Sequence, residues 1–139
     1  MTRRAVLALL AVLLLCAVAT PAWAGSYLDR ASVLLDGARI ERDMVRPRSS
    51  DQALVDLVYR LAQVRARTAR QMSVPQSVAP AHPHLLLVLE NCESAYAASL
   101  RGDRDKFVEH VQRARAEDAT FRALIAQLGY RLPVTASDK

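Results

Sequence analysis

Apolar positions recur along this chain at the three-and-four spacing of amphipathic helices, in four stretches separated by proline and glycine. The first predicted helix covers residues 27–45. Its apolar stripe is Tyr27, Ala31, Leu34, Leu35, Ala38 and Val45, and Pro47 stops it. The second covers residues 50–73, with Leu54, Leu57, Val58, Leu61, Val64 and Met72 assigned to its inner stripe. Ser49-Ser50-Asp51-Gln52 has the pattern of an N-terminal capping box, and Val74-Pro75 ends the helix.

After a connection holding Pro75, Pro80 and Pro83, the third helix covers residues 84–100, with Leu85, Leu89, Cys92 and Tyr96 inward. Gly102 stops it and Asp103 caps the fourth, residues 104–128, whose stripe is Phe107, Val111, Ala114, Phe121, Ile125 and Leu128. Gly129 closes that helix in the left-handed conformation, with Tyr130 folding back on Ile125. Residues 133–139 form a flexible tail. No stretch alternates as a strand would. Short links between the first and second helices, and between the third and fourth, make each pair antiparallel. The expected fold is all-α: one domain, an antiparallel up-down-up-down four-helix bundle, residues 25–139.

The apolar pattern of residues 1–24 is of another kind. Arg3 and Arg4 precede an unbroken apolar run of 15 residues, 5–19, followed by Thr20-Pro21 and the small-residue motif Ala22-Trp23-Ala24. The run is shorter than the roughly 20 residues that span a bilayer. This is the layout of a cleaved secretory signal peptide. The expected location is therefore the periplasm or the outside of the cell, with no stable membrane anchor after cleavage.

Removing residues 1–24 takes net charge from +5 to +3, too mild to argue for nucleic acid. Cys16 also leaves, so Cys92 is alone and no intrachain disulfide forms. No Cys-x-x-Cys-His motif for covalent haem is present, nor the paired Glu-x-x-His of a di-iron bundle. No nucleophile–base pair or acid pair stands out. The expectation is a non-enzymatic protein without a cofactor.

Three groups of residues carry candidate chemistry. His82 and His84, two residues apart at a helix start, have imidazoles able to hold copper or zinc. In the antiparallel arrangement Asp118 falls level with Arg30 and Arg65, which predicts a polar core pair or pocket. Val33, Gly37, Ile40 and Met44 form a second stripe on the first helix, opposite its core face. A glycine there permits close approach, so this stripe is the candidate surface for a protein partner or a homodimer. Arg60, Arg67 and Arg70 share a solvated face of the second helix with Gln63. The functional expectation is an exported bundle that binds a partner, or itself, through its first helix. The alternative is a periplasmic metal- or small-ligand-binding bundle.

Overall fold

A computed structural model of the protein describes residues 20–133, with side chains from Ala24 onward. The apolar run of the expected signal and residues 134–139 of the tail lie outside the described residues. The described residues are all-helical: α1 (Thr20–Val45), α2 (Gln52–Arg70), α3 (His82–Leu100) and α4 (Arg104–Gln127). Short 3-10 turns follow α1 at Arg46–Arg48 and precede α3 at Gln76–Val78. No helix among the described residues is long and apolar enough to cross a membrane.

Local sequence accounts for most of the boundaries. The Asp51 carboxylate accepts the Leu54 N–H at 3.1 Å, and Asp103 accepts that of Lys106 at 3.0 Å. Each cap satisfies one of the amide donors left open at a helix start. Gly102 and Gly129 adopt φ of +75° and +84°, which L side chains resist. Around them the Asp103 N–H reaches back to Ala98 O and the Tyr130 N–H to Ile125 O, both at 3.0 Å. Three starts differ from expectation. α2 begins at Gln52 rather than 50, because Asp51, and not the Ser49 of the expected capping box, takes the capping position. α3 begins at His82 rather than 84, because Pro83 fits the first turn of a helix, where no N–H partner is needed. α1 begins at Thr20, so its backbone includes the Ala22-Trp23-Ala24 motif.

α3 is the central helix. It packs most extensively on α4, then on α2, while α1 meets α2 and α3 over less of its length. The contacts make α1 and α2 antiparallel, and likewise α3 and α4. His84 meets Glu117 while Asn91 meets His110, and Val33 shares a groove with Thr68 while Glu41 meets Arg65. The core is filled by Tyr27, Leu85, Val88, Leu89, Tyr96, Phe121 and Ile125, with Val78 closing it from the 3-10 turn. Fully burying each Val, Leu, Ile or Phe is worth about 1.5–3 kcal/mol.

α2 is rotated from the expected orientation. Of the residues assigned to its inner stripe, only Val58 is fully buried, and Leu57, Leu61 and Val64 are exposed. Its core face is Val55, Val58, Ala62, Ala66 and Ala69. Three alanines one turn apart let the α2 backbone approach α3 and α1 closely, and side-chain packing at short range outweighs the burial of longer leucines.

Candidate functional site

α1 carries its apolar stripe from Tyr27 to Ala38 and then places charge on it. Glu41 and Arg42 lie seven residues beyond Leu34 and Leu35, on the same face, and both are buried. Arg65 of α2 pairs with the Glu41 carboxylate; the two side chains are 22% and 6% exposed. The Arg42 guanidinium lies beside the Cys92 thiol of α3, and Tyr96, one turn further along α3, lies near Glu41, Arg42 and Arg65. The Arg42 Nε and the Tyr96 hydroxyl are buried without a hydrogen-bond partner.

Burial dominates the chemistry of this cluster. It pushes the Cys92 thiol up to about 11, more than the nearby guanidinium of Arg42 pulls it down. The Tyr96 hydroxyl is pushed above its ordinary range for the same reason. A thiol held protonated is neither a nucleophile nor a ready metal ligand. The cluster ties α1 to α2 and α3.

The cluster also decides what becomes of Gly37. The Arg65 guanidinium lies over it, so that a Cβ would sit 2.5 Å from Nη2. Gly37 is thus no bare patch for a partner, as its place in the second stripe had implied. It is the gap through which Arg65 reaches Glu41. The rest of that stripe does face outward: Val33 is 68% and Ile40 52% exposed, with Met44 half-buried.

Beside this stripe runs another. Leu57, Leu61 and Val64 on α2 are 56%, 41% and 57% exposed, at the same four-three spacing. Arg65 over Gly37, and Val33 sharing a groove with Thr68 and Met72, place both stripes on one side of the α1–α2 pair. At one end the face opens into a groove of about 470 Å³ lined by Asp29, Arg30, Val33, Leu34, Thr68, Gln71 and Met72.

The remaining candidates are dispersed. The His82 ring turns to α1, where its Nδ1 hydrogen-bonds the Tyr27 hydroxyl at 3.0 Å; burial lowers the pKa of His82 and raises that of Tyr27 to about 12. His84 turns to α4, its Nδ1 2.6 Å from Glu117 Oε2. Positions two apart on a helix point about 200° away from each other, so the two imidazoles do not converge. Among the described residues no three His, Cys, Asp or Glu side chains gather as a metal site would require. The expected Asp118–Arg30–Arg65 cluster does not form. Asp118 bonds Arg122 on its own helix at 2.9 Å, Arg30 is exposed at the groove, and Arg65 holds Glu41. An i,i+4 partner within one helix needs no tertiary geometry and takes the carboxylate first. Arg70 reaches Glu90 of α3, and Arg60 pairs with Asp56.

Comparison with protein-family models finds no match, and no similar curated protein or solved structure was found.

Proposed function

We propose that this chain is an exported, non-enzymatic up-down-up-down bundle whose work is to dock a protein partner, or its own copy, on the α1–α2 face. The observation that carries the reading is the pair of exposed stripes: Val33 and Ile40 beside Leu57, Leu61 and Val64. Scattered surface leucines are common, but two adjacent helices that both turn their large apolar residues outward on one side are not. α2 exposes three such residues although its sequence offers smaller ones that it buries instead. Export rests on residues 1–24, whose charge, run length and Ala22-Trp23-Ala24 motif suit cleavage after Ala24.

The groove beneath Val33 is of a size that fits a small ligand, which favours that as the second reading. It opens onto the same face, so a partner's side chain would also seat there.

The test uses the chain expressed with its own leader and purified from the periplasm. N-terminal sequencing should begin at Gly25. Leu61→Asp should leave the melting temperature within about 2 °C, since exposed substitutions rarely exceed 0.5 kcal/mol. It should abolish every association, with itself or another protein, that the unaltered chain shows by light scattering. Identical association by both proteins would remove the docking reading.

A further inference from the structure

The docking face has a charge pattern that names its occupant. On α1 the edge beyond Val33, Ile40 and Met44 carries Asp29, Asp36 and Asp43, each seven residues from the next. On α2 the opposite edge, beyond Leu57, Leu61 and Val64, carries Arg60 and Arg67, also seven apart. Across the face the order is therefore acidic row, α1 stripe, α2 stripe, basic row. Asp29, Asp43, Arg60 and Arg67 are exposed; Asp36 is mostly buried, its side chain 14% exposed beside Arg39.

Resting on the docking reading above, we propose that the occupant is a second copy of this chain, related by a twofold axis lying in the interface and parallel to the helices. Such an axis exchanges left and right across the face and leaves height unchanged. α1 of one copy then lies on α2 of the other, antiparallel, and the acidic row of each meets the basic row of its partner. Height is read from the contacts within one chain: Arg65 lies over Gly37, and Thr68 shares the groove with Val33. On that register the exposed Asp43 is level with the exposed Arg60, and this pair, made twice across the axis, carries the charge match. The other in-plane axis, across the helices, would lay α1 on α1 and set acid against acid.

The apolar stripes fill the centre and a four-helix layer forms across the axis. An isologous contact of this kind needs one self-complementary patch and closes at two copies. Two helices about 10 Å wide and about 24 Å long give roughly 500 Å² per copy, or about 1,000 Å² in all. That lies at the lower edge of specific interfaces and implies a dimer in the micromolar range. Arg60 now pairs with Asp56 at 3.0 Å on the surface, a bond weak enough to exchange.

The experiment is sedimentation velocity on the chain purified from the periplasm, from 1 to 200 µM (roughly the span over which such an area should dimerise). The unaltered chain should dimerise, less strongly in 0.5 M salt. Asp43→Arg and Arg60→Asp should each weaken self-association about fivefold or more, because each sets two like-charge contacts across the axis. The two single variants mixed together should associate as well as the unaltered chain, since every rim contact is then opposite in sign. Circular dichroism should show all three proteins equally folded. A monomer at 200 µM overturns the homodimer and leaves partner docking standing, which fails separately if Leu61→Asp changes no association. A dimer untouched by either single variant overturns the axis and the proposal with it.

Discussion

α3 and α4 contribute Leu85, Leu89, Phe107, Phe121 and Ile125 to the core, and direct Arg113 and Arg115 toward water, with only Leu87 and Val108 exposed among their large apolar residues. α1 and α2 reverse that division over part of their length. They enclose Glu41, Arg42 and Arg65 with Cys92 and Tyr96, and leave Val33, Ile40, Leu57, Leu61 and Val64 in solvent. Both pairs bury apolar area, and the α1–α2 pair adds a buried ion pair between Glu41 and Arg65. Buried ion pairs add little net stability but penalise every alternative packing that would break them. They fix how α1 sits, and so hold the outer stripes in register with each other.

That contrast can be broken from either side. Phe121→Ala, on the conventional side, should cost about 3–5 kcal/mol in urea unfolding, from lost burial and an unfilled cavity. Glu41→Gln should cost about 2–3 kcal/mol, below the full penalty for stripping a partner from a buried charge, because Arg65 is a fifth exposed and stays partly hydrated. A loss under about 0.5 kcal/mol would show that the cluster holds nothing together.

The next effect is in pH. Burial lowers the pKa of His82, so the unfolded chain binds its proton more readily. Stability contributed by neutral His82 is present above its unfolded value of about 6.5 and declines as pH falls below it. The urea midpoint should therefore drop from pH 7.5 to 5, and His82→Gln should shrink that drop. An undiminished drop in the variant would assign it elsewhere. Cys92, with its thiol raised to about 11, should resist alkylation at pH 8 in the folded protein and react at once in urea.

The smallest effect belongs to Gly37→Ala. Helix propensity gains about 1 kcal/mol, and shifting the flexible end of Arg65 aside while it keeps its bond to Glu41 costs a similar amount. The melting temperature should barely move. A rise of several degrees would mean that Arg65 yields freely and that the ion pair does not position α2.

Much of the fold was legible in the chain. The four helices, the Asp103 cap, and the stops at Gly102 and Gly129 follow from local rules and appear as expected. The pairs Glu109–Arg113 and Asp118–Arg122 are local in the same sense, because one helix supplies both partners. The buried cluster left a trace that hydropathy alone does not read. Glu41 and Arg42 stand on the inner stripe of α1 by spacing, but as charges they had been passed over. Arg65 was expected in a polar core, with Asp118 and Arg30 as partners and not Glu41. The outer stripe of α1 was legible; that α2 would place its own stripe beside it was not.

Helix periodicity and terminal chemistry are properties of a few neighbouring residues, and residues 1–24 likewise state their reading without help from the fold. Which of two apolar stripes a helix buries is not local. α2 could turn Leu57, Leu61 and Val64 inward, or Val55, Val58, Ala62, Ala66 and Ala69. The choice depends on how closely three helices can pack at once and on where Arg65 must reach. Only the assembled structure sets those distances, and with them which side chains remain outside to meet another molecule.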